Sequence, residues 1–249
     1  MNMGNTNDYE WVELPSKGRC YPVDSPLRKG KVAVAYLTAK DENIIMNHKA
    51  YTDGNIIDLI IKRKIVDMNI DPSTLVKGDR DAILIWLRRT GYGNEYPVTV
   101  RNSNGEGDTF TATIDLSEIK NREFLLPSDD KGYFSYFMKN GDVVKFKYLT
   151  GKETREIENS ITGDEKDEED NTFLTDTLKT ITMSVKGNED RNLVSQYIEN
   201  MTTSDSFLYR SFIEDNMPGI DTVVNVEVPN EGVKTVLLQI DESILMNVE

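Results

Sequence analysis

The chain has 249 residues, and 43 acidic against 29 basic side chains give it a formal charge of −14. So acidic a chain repels nucleic-acid phosphates and anionic lipid at long range, which excludes both as expected partners. The charge is divided unevenly: residues 1–149 carry 21 acidic and 21 basic residues, whereas residues 150–249 carry 22 and 8.

A single cysteine, Cys20, and a single histidine, His48, exclude an internal disulfide and a Cys/His zinc cluster. Nucleophile–histidine catalysis would have to use these two copies, 28 positions apart and each on an undistinguished segment. No apolar run approaches the roughly 20 residues needed to cross a bilayer. The polar start, MNMGNTND, lacks the basic and apolar regions of a signal peptide, so synthesis and residence in a cytoplasm are expected.

Residues 9–30 are broken by Pro15, Gly18, Pro22, Pro26 and Gly30, with Trp11, Val12, Leu14 and Tyr21 between them. That spacing predicts an extended arm with turns over 1–30. Residues 31–37 alternate like a strand, and Thr38 with Asp41 three positions on predicts a helix start. Ile56, Ile57, Leu59, Ile60, Ile61, Ile65 and Val66 give a wide helical face; Gly78 and Asp79 read as the cap of a second helix that stops at Gly91.

Beyond Gly93 the period falls to two. Residues 96–100 and 109–114 flank a polar glycine-containing turn, and residues 133–138 and 143–149 flank Asn140 and Gly141, so two hairpins are predicted. Thr150 and Glu153 have capping-box spacing for a short charged helix to about 160. Six carboxylates and one lysine then crowd residues 164–170, which read as a solvated linker. Helices are predicted over 172–185, 190–201 and 204–216, and a last hairpin over 222–228 and 234–240. The order helix, helix, hairpin thus occurs twice, consistent with a diverged internal repeat.

The fold class expected is α+β, with several antiparallel hairpins and two related helix-helix-hairpin units. Its organisation would be an extended arm over 1–30, a neutral α+β domain over 31–149, an acidic linker over 150–172 and an acidic helical and hairpin domain over 173–249. Asn102, Asn104 and Glu106 have the alternation of a calcium loop, but Thr113 stands where a bidentate glutamate is needed, so a plain turn is favoured. Trp86, Arg88, Arg89, Tyr92 and Tyr96 could mimic a nucleic-acid patch; cations at a helix C-terminus explain the arginines more simply. No phosphate loop and no recognisable active-site motif occurs, and no catalytic residue, cofactor or metal is expected. The partner-binding candidates lie on the arm: Trp11, Leu14, Pro15, Lys17, Gly18, Tyr21 and Pro22. Its apolar side chains are too many for a free tail, so the arm packs on its own domain or on another protein.

Four segments in order, ELPSKGRCYP at 13–22, GKVAVAYLTAKDE at 30–42, DRDAILIWLRRTGYG at 79–93 and MPGID at 217–221, resemble the baseplate hub assembly protein family of T-even-like contractile-tailed bacteriophages. Members of that family often carry Cys-Pro-x-Cys knuckles at hairpin turns. The matching positions here are Arg101 and Asn104, then Val228 and Glu231, with Pro229 and Gly232 kept, so a knuckle metal is not expected. The resemblance implies a hub component or assembly chaperone with no enzyme activity, whose partners are other baseplate hub proteins and the tape-measure protein. It also implies assembly in the host cytoplasm and a place in the virion tail baseplate. The rival readings are a carboxylate-based metal-dependent hydrolase built from the second half, and an adaptor module unrelated to phage.

Overall fold

The computed structural model describes residues 9–47, 55–101, 109–162, 172–228, 232–241 and 243–246. Strands β1 (Tyr9–Glu13) and β2 (Lys31–Ala35) pair antiparallel, with Trp11 opposite Ala33 and Val12 opposite Val32. The chain between them makes turns and a single 3-10 turn, Pro26–Lys29, that begins at Ser25 and closes on Gly30 at φ 71°. Helix α1 (Ala39–Met46) starts where expected: the backbone N–H of Thr38 donates to the Asp41 carboxylate at 2.9 Å. Helix α2 (Asn55–Lys64) buries Ile56, Ile57, Ile60 and Ile61.

Helix α3 (Lys77–Tyr92) departs from its expected ends. Val76 occupies the cap position, Gly78 and Asp79 lie inside the first turn, and the helix runs through Gly91 to stop at Gly93. Tertiary contacts explain both glycines. A methyl group at Gly78 would sit 2.1 Å from the carbonyl oxygen of Pro218, and one at Gly91 would sit 2.9 Å from Leu37. These residues are small because other chain segments press on the helix, so a reading based on caps misplaces their role.

Strands β3 (Glu95–Arg101) and β4 (Thr109–Asp115) form the first predicted hairpin, and β5 (Phe134–Phe137) and β6 (Val143–Phe146) the second. Helix α4 (Gly151–Thr162) follows, with Glu153 accepting from the Thr150 backbone N–H at 3.0 Å. The helix expected over 172–185 ends early: α5 is Phe173–Ile181, and Thr182–Val185 become β7, which pairs with β6 in a three-stranded sheet. Leu174, Leu178, Ile181 and Val185 keep a helical period, but the free edge of β6 offers backbone partners that the last turn would lack. Helices α6 (Arg191–Glu199) and α7 (Thr203–Asp215) and the hairpin of β8 (Val223–Val228) and β9 (Gly232–Leu237) complete the expected series. The four-residue α8 (Ser243–Met246) was too short to show a period; it packs on α3 and buries Ile244 and Leu245.

The arrangement is therefore α+β, with helices and small antiparallel sheets around one cluster of buried side chains that runs from Val12 to Leu245. Phe124, Phe134, Tyr136, Phe146, Tyr148, Tyr209 and Phe212 form an aromatic stack with ring centroids 4.9–6.2 Å apart. It ties the β5–β6 pair to α7, each contact adding about 0.5–1.5 kcal/mol beyond burial. Charged pairs hold the helices in register. Buried Asp41 on α1 binds Lys64 and Arg63 of α2, and Asp58 on α2 binds Arg80 of α3 at 3.0 Å together with Arg155 of α4. Burial alone would raise the Asp41 carboxyl, but its bonds to Lys64, Thr38 and Arg63 outweigh that and hold it at about 2.

The close approach at Gly78 makes a direct test. Gly78→Ala is expected to lower stability by about 1–3 kcal/mol through overpacking. Gly219→Ala, whose added methyl would lie 3.9 Å from Arg122, is expected to stay within about 0.5 kcal/mol. Urea unfolding of the two variants measures the difference.

Candidate docking surface

The arm is held by a carboxylate. Asp79, fully buried in the first turn of α3, accepts from the Ser16 backbone N–H at 2.8 Å, the Ser16 hydroxyl at 2.6 Å and the Tyr21 hydroxyl at 2.6 Å. The Tyr21 oxygen in turn accepts from the Val76 backbone N–H at 3.2 Å, which satisfies one of the donors left open at the helix start. Lys17 and Gly18 both take left-handed backbone, φ 51° and 76°, to bring Ser16 and Tyr21 onto the same carboxylate. Gly18 is required there, since a side chain would sit 2.3 Å from the carbonyl oxygen of Arg28. Arg28 then donates to the Tyr21 carbonyl at 2.8 Å, and Arg19 to the Phe124 carbonyl at 3.2 Å.

This geometry sorts the seven partner-binding candidates. Leu14, Pro15, Gly18 and Tyr21 are buried in the chain's own fold, whereas Trp11, Lys17 and Pro22 face outward. Trp11 is 53% exposed on β1, edge-on to Tyr9 at 6.5 Å, with the Lys31 ammonium 5.0 Å above its ring. Tyr9 and Lys31 were not singled out from the sequence, although the spacing Tyr9, Trp11 on one strand face was a period-two signal. From its position Asp79 reads as a cap, because a carboxylate near a helix start serves either role, and only the fold shows the arm lying against it.

Burial raises the Asp79 carboxyl to about 6, against the pull of its three donors. Burial, and next the Asp79 charge, also raise the Cys20 thiol well above its ordinary value, which keeps it from being a thiolate nucleophile. The aromatic and basic residues at the end of α3 do not form an open patch. Arg88 is buried, with its guanidinium 5.2 Å from the Tyr92 ring and 5.6 Å from the Tyr96 ring, and Trp86 lies against Tyr36 at 5.4 Å. Among the described residues no group of three or more His, Cys, Asp or Glu could hold a metal ion, so the converging carboxylates of the hydrolase reading are not seen there. His48, the turn over 102–108 and the acidic run over 164–170 lie outside the described residues.

A family model described as "T4 bacteriophage base plate protein" matches residues 6–245, and so takes in the arm, α3 and the final hairpin. The chain belongs to that family. No curated protein matches it, and no solved structure does. As a phage baseplate protein it has its place in the virion tail, among other tail proteins. Among its described residues no helix is long and apolar enough to cross a membrane.

The anchor makes this baseplate protein sensitive to pH in a stated direction. Asp79 binds a proton more tightly when folded than the roughly 3.9 of an unfolded chain, so its contribution is full below about pH 4 and lost as pH rises through about 6. The stability of the wild type relative to Asp79→Asn is therefore expected to fall by roughly 2–3 kcal/mol between pH 4 and pH 7. Urea unfolding of both proteins across that range measures it; a constant gap contradicts the assignment.

Proposed function

We propose that this baseplate protein is a hub component or assembly chaperone that acts through protein–protein contacts and has no catalytic role. Its partners are other baseplate hub proteins, with the tape-measure protein as a further contact, met in the host cytoplasm during assembly. The outward side of the arm, Trp11 with Tyr9, Lys17 and Pro22, makes the stable docking contact. The acidic second half engages a basic partner.

The observation that carries this reading is a half-exposed tryptophan on a rigid support. An aromatic side chain that stays exposed while Val12 and Leu14, which follow it on the same arm, are buried is the composition of an interface anchor. Because Asp79 fixes the arm, little conformational entropy remains to be lost when a partner docks. The Lys31 ammonium over the Trp11 ring stands opposite Glu13, so the face of the arm is near neutral and suits a partner unlike the one met by the acidic half.

The test is co-expression with the phage's other hub proteins. Trp11→Glu is expected to weaken co-purification at least tenfold, equivalent to about 1.4 kcal/mol, while circular dichroism and unfolding midpoint stay those of the wild type. Undiminished co-purification, or a wild-type protein that binds no tail protein, overturns the proposal.

A further inference from the structure

We infer that the outward face of the β8–β9 hairpin is a second docking surface, made for a partner segment that carries apolar residues flanked by lysine or arginine. The inference rests on the chain being a tail protein that works by docking, and it names the surface the acidic half uses.

Two hairpins of the same design carry the argument. On β3–β4 the inward face buries Tyr96, Val98, Val100, Ala112 and Ile114, and the outward face exposes Thr99, Thr111 and Thr113. On β8–β9 the inward face likewise buries Val226 and Val228. Its outward face, however, exposes Val223, Val233 and Leu237 at 56%, 65% and 66%. Val223 stands directly opposite Leu237, so the two form one cross-strand apolar pair, and Val233 lies on the same side beyond Asn225 and Thr235. Strand propensity does not require these residues, because threonine serves equally on the sister hairpin and leucine is not β-branched. An exposed apolar strip on a two-stranded ribbon is an association site.

Charge decides what covers it. Glu227 faces Val233 across the strands, and exposed Asp221 and Asp241 lie just before Val223 and after Leu237. From residue 217 to 249 the sequence carries six carboxylates and one lysine. A second copy of this chain would bring the same charge to the contact through this hairpin and be repelled, and its arm face, where Glu13 stands opposite Lys31, offers no net positive charge. The chain's own acidic run over 164–170 would be repelled likewise, and residues 1–8 contain no lysine or arginine. A basic, apolar segment of a different tail protein satisfies both the strip and its rim.

Photo-cross-linking of the full chain tests this. Leu237, Trp11 and, as control, Thr111 are each replaced by p-benzoylphenylalanine in cells producing the phage's tail proteins, and adducts are identified by mass spectrometry. At Leu237 the expected adduct is a tail protein, joined through a peptide of net positive charge, with a yield severalfold above Thr111 and severalfold lower in high salt. Yield no greater than at Thr111, an adduct with a second copy, a neutral or acidic peptide, or a yield indifferent to salt each overturns the inference. Adducts at Trp11 alone overturn it while leaving the arm contact standing; adducts at Leu237 alone support it and count against the arm.

Discussion

A carboxylate buried without a cation is the constraint from which the rest of this fold can be followed. Asp79 is taken from water and met only by neutral donors, two from Ser16 and one from Tyr21. Burying a charge in this way is costly unless every lone pair is answered, so the arm has one place to lie. The first turn of α3 then becomes the point where distant parts of the chain meet. Val76 receives Tyr21, Gly78 receives Pro218 and Gly219, and Arg80 reaches Asp58 of α2, which also holds Arg155 of α4.

Three aspartates at helix contacts, Asp41, Asp58 and Asp79, show how surroundings set the role of one residue type. Asp41 and Asp58 face cations and tie helix to helix, and acid weakens Asp41's tie. Asp79 faces hydroxyls and an amide, ties a loop to a helix, and is eased by protonation. The neutral balance of residues 1–149 is thus partly internal, consumed in such pairs, whereas the excess of the second half has fewer cations to meet. A rim of carboxylates around an apolar strip follows from that surplus.

Much of this was legible in the residues. The α+β class, both early hairpins, the final hairpin and the helices built on isoleucine-rich faces follow from period and turn chemistry, because each element buries one face of its own. What escaped was whatever depended on another segment. Residues 182–185 share a helical period with α5, yet pair with β6. Gly78 and Gly91 look like helix punctuation and are contact points. Of the candidate surface, Trp11 was visible as an aromatic in a proline-broken stretch, but nothing local told it apart from Leu14 or Tyr21, which the same stretch buries. Tyr9 and Lys31 are brought beside it only by the pairing of β1 with β2.

The bond between Ser16 and Asp79 spans 63 positions of chain. During synthesis the arm leaves the ribosome before the carboxylate that fixes it and waits for it, and the Pro218–Gly219 turn that closes on the same helix emerges later still. Until then Leu14 and Tyr21, both buried in the finished fold, have no native surface to cover them. The arm is therefore made before the residues that place it, so its exposed interval falls within the chain's own translation.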